Sequence, residues 1–252
     1  DEEKEAVNGT KKMMEWTKNN NIVFNHCIVG EPTSNKIVGD KIKIGRRGSI
    51  NFFVTVKGVQ GHTANSQRAE NPAHLLIILL NNIISKPLDD GNEFYLPSSL
   101  QIPTFDVGNS AANVIPEFAR ATVNIRFNDI HSVESLTKWF QDNIDKVFTN
   151  FPKASCTFRT DQVGESYLTN PGQLCSLVSA AIKEVSGRNG NLEMATDGGT
   201  SDARFIKNYC EVLELGLVNR TLHQVNENVN LSDLKELHDI YLRILENYFE
   251  KN

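Results

Sequence analysis

The chain has 252 residues, of which 39% are hydrophobic and 23% charged, and a formal net charge of −5. This length fits one large domain or two ordinary ones, and the composition is that of an ordinary globular protein. The acidic balance argues against nucleic acid, which rewards clustered positive charge, and the longest apolar run, Leu75 to Leu80, falls far short of the about 20 residues that cross a bilayer.

The chain opens on Asp1-Glu2-Glu3, which reads as a flexible acidic tip or as the interior of a longer protein. Val7 to Lys18 predicts a helix. Ile22 to Val29 predicts a short buried strand, closed by Gly30-Glu31-Pro32. Sites in α/β sheets gather at the carboxyl ends of strands, and Glu31 sits at one.

From Ser49 the character changes. Ser49 to Lys57 predicts a strand, Asn71 to Ser85 a helix, Leu100 to Val107 a strand weakened by Pro103, and Ala119 to Phe127 an alternating strand. Ser132 to Phe148 predicts a helix with Val133, Leu136, Phe140, Ile144 and Val147 on one face and Ser132 as its cap. Ala154 to Arg159 predicts a fourth strand. The order β-α-β-β-α-β is that of the ferredoxin-like unit, with helices on one sheet face and an edge free to pair with another copy.

From Gly164 the pattern returns to α/β. Helices are predicted over Asn170 to Ser186, Thr200 to Asn208 and Leu231 to Phe249, a strand over Glu211 to Leu217 and a loop over Asn219 to Val229. The fold class is therefore α/β with an inserted β-α-β-β-α-β module: 1–47 and 163–252 form one domain and 48–162 the insertion. Cys27, Cys156, Cys175 and Cys210 are scattered without a C-x-x-C, so they read as reduced thiols of a cytoplasmic protein.

Glu2 and Glu3 have two readings. They are acids favouring a helix N-terminus, or, in an extended segment whose neighbouring side chains diverge, a metal ligand and a general base. Glu31 is either a turn acid or a ligand. His223 lies in a polar loop, and imidazole is the commonest metal ligand, although most histidines bind nothing. His62, in Gly61-His62-Thr63, follows a strand in a glycine turn that presents it outward.

The segments DEE, IVGEPTS, GRRGS, VQGHTA, GNEFYLPSSLQI, NVIP, VNIRFN, GGTSDARF and LHQVNE occur in that order over nearly the whole chain. Together they resemble the M20 metallopeptidase family of dinuclear-zinc amidohydrolases, in its succinyl-diaminopimelate desuccinylase branch. The resemblance implies a zinc-peptidase-like catalytic domain with an inserted dimerisation domain. It also implies hydrolysis of N-succinyl-LL-2,6-diaminopimelate to succinate and LL-2,6-diaminopimelate, in lysine and diaminopimelate biosynthesis.

Two zinc (or cobalt) ions per subunit and a cytoplasmic homodimer belong to the same implication. Glu2 would be the general acid–base, Glu3 and His223 would bind one metal and Glu31 the other. Arg46, Ser49, Asn113, Arg126, Thr200 and Asn219 would contact substrate, and His62 would stabilise the oxyanion in a neighbouring subunit's site. For Arg46 a domain-hinge salt bridge stands beside the substrate role. Ala112 occupies a position where some members carry a second Asn.

The family's upstream H-x-D motif and a further ligand Asp have no counterpart here. The sequence therefore resembles a C-terminal portion, expected to be inactive alone and to expose apolar surface. The alternatives are another M20 deacylase or peptidase, such as an acetylornithine deacetylase-like enzyme, and a non-catalytic dimerising module.

Overall fold

The computed structural model describes residues 8–188, 190 and 192–250. Glu2 and Glu3 therefore lie outside the described residues. The chain divides into two compact units, Asp1–Arg46 with Tyr167–Asn252, and Arg47–Ser166.

In the first unit, helix α1 (Thr10–Asn19) precedes strands β1 (His26–Val29), β2 (Lys41–Lys43) and β3 (Gly45–Arg46). The second unit runs β4 (Gly48–Lys57), β5 (Gly61–His62), a 3-10 turn (Thr63–Arg68), α2 (Pro72–Ile84), β6 (Ser99–Asp106), β7 (Val114–Ile115), β8 (Phe118–Phe127), α3 (Val133–Phe148) and β9 (Ser155–Gly164). The chain then returns to the first unit with β10 (Tyr167–Leu168), α4 (Gln173–Ser186), β11 (Glu193–Ala195), α5 (Ala203–Ile206), β12 (Glu211–Glu214) and α6 (Leu231–Glu250).

The second unit has the expected order. Its antiparallel sheet reads β6-β8-β4-β9. Ile50, Phe52, Val54 and Val56 alternate inward on β4, and Ala119, Ala121, Val123, Ile125 and Phe127 do so on β8. They meet Leu75, Leu76, Leu79 and Ile83 of α2 and Leu136, Phe140 and Ile144 of α3 in one apolar cluster. The Phe140 ring stacks on Phe52 at 4.2 Å. Ser132 caps α3 by accepting from the Ser135 N–H at 3.0 Å, with Ser135 answering on the Ser132 N–H. Gly48 is obligatory, because a Cβ there would fall 2.2 Å from the Phe127 ring.

A polar knot ties the loop after α2 to the end of β8. Asp89, its side chain 6% exposed, accepts from the N–H groups of Gly91 at 2.8 Å and Ser98 at 3.2 Å and from Asn128 Nδ2 at 2.6 Å. The His131 Nε2 lies 3.1 Å away. Burial pushes the Asp89 pKa up, but the bonds from Ser98, Gly91 and Asn128 outweigh it and hold the carboxyl below its ordinary value.

A carboxylate with a lower pKa folded than unfolded contributes stability that is complete above the unfolded value of about 4. That stability is lost as pH falls through the folded value. The urea midpoint of the second unit is thus expected to drop from pH 5 to pH 3, and to drop less in Asp89→Asn. Equal slopes in the two proteins would remove Asp89 as the cause. At pH 7, Asp89→Ala leaves several donors unmatched and costs about 3 kcal/mol.

The first unit holds a mixed sheet, β1-β12-β2-β11, with β1 parallel to β12 and β2 parallel to β11. Helices α4 and α6 pack on each other, and α4 and α5 both touch β12. Among the described residues, strand β1 lies at one end of this sheet. It starts at His26 rather than Ile22, because Val23 (83% exposed) and Phe24 lie outside the sheet. They line an apolar groove with His26, Leu177, Leu245 and Phe249. The four cysteines are unpaired. Among the described residues, no helix is long and apolar enough to cross a membrane.

Candidate functional site

Parallel pairing of β1 with β12 puts the carboxyl ends of both strands on the same side. Glu31 follows β1, while Asn219 and His223 follow β12. The two loops are stitched together. Ser34 Oγ donates to the Gly216 carbonyl at 2.7 Å, and the Gly216 N–H donates to Thr33 Oγ1 at 3.1 Å. The Asn219 N–H donates to the Ser34 carbonyl at 3.0 Å. Gly216 permits this approach, since a Cβ there would fall 2.1 Å from the Glu31 carbonyl oxygen. His223 is exposed at the tip of the second loop with φ +59°. Thr221 closes that loop by donating from Oγ1 to the Asn228 carbonyl at 2.8 Å.

The segment Asp197–Ala203, which carries Thr200, is anchored from several sides. The Lys43 Nζ sits 2.5 Å from Asp197 Oδ1, and Lys41 bridges Glu193 at 2.7 Å. Burial lowers the Lys43 pKa, although Asp197 opposes it. Arg46 Nη1 donates to the Gly199 carbonyl at 2.9 Å. Ser201 Oγ donates to Glu214 Oε1 at 2.6 Å, and Thr10 Oγ1 donates to Asp202 Oδ2 at 2.5 Å. These anchors explain why the helix expected over Thr200 to Asn208 shrinks to Ala203–Ile206: the residues ahead of it are spent on loop contacts.

Glu214 is the centre of this network and is fully buried, at 0% exposure. Besides Ser201 it accepts from the Tyr167 hydroxyl at 2.7 Å and from Arg46 Nε at 3.0 Å and Nη2. Burial and the adjacent carboxylate keep the Tyr167 hydroxyl protonated. Arg46, 8% exposed, is pushed down by burial but raised overall by Glu214. Its guanidinium is committed to Glu214 and Gly199. This ion pair lies within the first unit.

The second unit gathers the other residues into two places. At the start of β4, Ser49 pairs in register with Arg126 of β8. Ser49 Oγ is buried without a hydrogen-bond partner among the described residues. Arg126 points away from the core between buried Ile125 and Phe127, and burial followed by the nearby Arg47 lowers its pKa. No carboxylate among the described residues pairs with Arg47 or Arg126. Two guanidiniums near each other without a carboxylate partner are suited to an anion.

The second place is the ribbon of β5 and β7, where His62 pairs with Val114 and the Thr63 N–H donates to the Asn113 carbonyl at 3.0 Å. His62 and Asn113 are thus neighbours across 50 residues of chain, and both are exposed. His62 Nδ1 accepts from the Ala64 N–H at 3.1 Å. A neutral ring accepting at Nδ1 carries its proton on Nε2.

Sequence reasoning passed over Arg47 and Glu214. Period-2 parity through Arg47-Gly48-Ser49 puts Arg47, not Arg46, on the side of Ser49. Glu214, lying between Val212-Leu213 and Leu215, is an acid inside an apolar strand, and such an acid needs buried partners.

Residues 44–151 match the peptidase dimerisation domain family. The chain is 47% identical over 249 residues to the succinyl-diaminopimelate desuccinylase of Parvibaculum lavamentivorans, covering 99% of this chain and 62% of that protein. It is 45% identical over 248 residues to that of Gluconobacter oxydans, covering 98% of this chain and 63% of the relative. The chain therefore spans less than two thirds of these relatives.

Among solved structures, a tripeptidase from Staphylococcus aureus superposes with a TM-score of 0.71 at 16% identity, over 90% of this chain and 58% of that one. An M20 family metallo-carboxypeptidase from Sulfolobus solfataricus gives 0.70 at 13%, over 94% and 66%. At these identities the superpositions establish the fold. Residues 44–151 thus match the peptidase dimerisation domain family, and nearly the whole chain is similar in sequence to succinyl-diaminopimelate desuccinylases, of which it spans less than two thirds.

Proposed function

We propose that the intact protein hydrolyses N-succinyl-LL-2,6-diaminopimelate to succinate and LL-2,6-diaminopimelate, as a cytoplasmic homodimer. The similarity to desuccinylases over 99% of the chain supports the reaction. The observation that supports the substrate class is Arg126, opposite the orphan Ser49 in strand register and depressed by the nearby Arg47, with no carboxylate partner for either arginine among the described residues. This substrate has three carboxylates, and guanidinium forks match carboxylate geometry.

The chain's own residues divide the work. Arg126, Ser49, Asn113, Thr200 and Asn219 hold and orient the substrate. His62, with its proton on Nε2, donates to the oxyanion that develops at the amide carbonyl. Glu2 moves the proton to the leaving amine.

A metal requirement is proposed from the M20 relatives, with zinc or cobalt, two per subunit, held by Glu3, Glu31, His223 and further ligands. Among the described residues no group of three or more His, Cys, Asp or Glu could hold a metal ion. Glu31 and His223 supply one carboxylate and one imidazole, which do not close a zinc site. Metal binding therefore depends on ligands outside the described residues.

The test uses a protein extended to the length of its relatives beside the present chain. The extended protein is expected to release succinate from the succinylated substrate, to lose activity with a chelator, and to prefer it to N-acetylornithine. The present chain is expected to be inactive. An extended, metal-loaded protein that preferred N-acetylornithine or cleaved neither substrate would overturn the reading.

A further inference from the structure

We propose that Glu214 is a positioning residue whose buried carboxylate aligns the Gly199–Ser201 segment, and with it Thr200, toward the substrate. This rests on the hydrolase reading above, in which Thr200 is a substrate contact.

The argument begins with cost. A carboxylate at 0% exposure gives up its hydration, and only several donors in good geometry make such a position tenable. Here the donors come from three separate segments. Arg46 lies on β3, Tyr167 on β10, and Ser201 in the loop itself.

Strands β3 and β10 pair with each other, Tyr167 opposite Arg46, so two of the donors form one rigid ladder rung. The third donor and the Arg46 bond to the Gly199 carbonyl lie on either side of Thr200. Thr200 is thus held at both neighbours by a single carboxylate–guanidinium pair, while its own side chain takes no part in that pair. Gly198 completes the fit. Its φ is +104°, and a Cβ there would fall 2.7 Å from Arg46 Nη1.

The loop's other anchors act farther out. The lysine pair holds Asp197 and Thr10 holds Asp202, so they fix the ends of the segment and not its centre. Removing the Glu214 charge therefore loosens residues 199–201, leaving Ser201 tied only to the first residues of α5, whose Ala203 and Arg204 N–H groups donate to it.

The experiment uses the extended protein and compares wild type, Glu214→Gln, Thr200→Val and the double variant. Amide hydrogen exchange across 197–203 is the readout independent of activity. Glu214→Gln is expected to speed exchange in 199–201 by at least tenfold and leave the second unit unchanged. It is also expected to lower kcat/KM about 100-fold, mainly through KM. Thr200→Val is expected to cost about tenfold alone and less than threefold in the Glu214→Gln background, because Thr200 is then already misplaced.

Unchanged exchange in 199–201, or strictly additive losses, would overturn the proposal and leave Glu214 an ordinary buried ion pair. Wild-type protein without hydrolysis would sink the hydrolase reading, and the role in aligning Thr200 with it, whatever the exchange shows. If Glu214→Gln does not fold, Ser201→Ala, which removes the loop's bond to Glu214 together with the bond Ser201 Oγ accepts from the Ala203 N–H, reads the same quantities with a smaller expected loss of three- to tenfold.

Discussion

Replacing Arg126 with methionine in the extended protein is expected to lower kcat/KM for the succinylated substrate by about 100-fold, with no loss of thermal stability. The two halves of this expectation come from one observation. Arg126 is half-buried on β8, and burial and the charge of another arginine, Arg47, depress its pKa. A structural arginine would be neutralised by a carboxylate, as Arg46 is by Glu214. Arg126 carries burial and like-charge repulsion without that return.

Methionine keeps the apolar stem that lies along the sheet and removes both penalties. Folding should therefore be unaffected or slightly improved. Binding loses a charge-assisted hydrogen bond, worth about 1.5 to 3 kcal/mol, which at about 1.4 kcal/mol per decade is a factor of ten to a hundred or more. A drop in melting temperature with kcat/KM unchanged would reverse the assignment and make Arg126 a structural residue. Lysine at 126 should recover only part of the loss, because an ammonium lacks the guanidinium fork.

The parts of this protein legible in its sequence are those where one pattern decides the structure. Helix α3 is the clearest. Val133, Leu136, Phe140, Ile144 and Val147 repeat at helical spacing after a capping serine, and all five are buried in the structure. The long alternating strands β4 and β8 follow for the same reason. Strands β2, β3, β10 and β11 were not legible. Each has two or three residues, too few to show a period, and lysines at 41 and 43 give no sign of burial until Asp197 and Glu193 are seen to pair with them.

Strand β9 runs to Gly164 instead of ending near Arg159, so the second unit closes at Ser166, four residues later than expected. At the site, sequence could suggest which types of residue mattered but not which neighbour held them. Adjacent Arg46 and Arg47 are the same type of residue. The register of β3 with β10 and the buried Glu214 turn Arg46 into the first unit's ion pair, while Arg47 remains beside Arg126. His62 and Asn113 are 51 positions apart, and only the short β5–β7 ribbon shows that they meet.

Phe140→Ala is the substitution with the largest expected effect on folding, about 4 kcal/mol. The ring is fully buried, stacked on Phe52 at 4.2 Å with an interplanar angle of 10°, and edge-on to Phe158 at 5.3 Å. Truncation removes the transfer energy of the ring and leaves a cavity between α3 and the sheet, and Phe-to-Ala changes in cores cost about 3 to 5 kcal/mol. The aromatic geometry adds to this.

A control on the same strand separates core packing from aromatic content. Phe53 adjoins Phe52 but lies on the opposite face, where Arg159 sits 3.7 Å from its ring centroid. Phe53→Ala forfeits a partly exposed cation–π contact and should cost about 1 kcal/mol. Urea unfolding of the two variants should therefore differ by about 3 kcal/mol. Similar losses would mean that the outer face of the sheet is covered by something as apolar as the core. The effect reaches the site through register: Ser49 and Arg126 are aligned only while β4 and β8 stay paired. In the extended protein, Phe140→Ala should accordingly lose activity at a lower temperature than wild type, with kcat/KM near normal wherever the second unit is still folded.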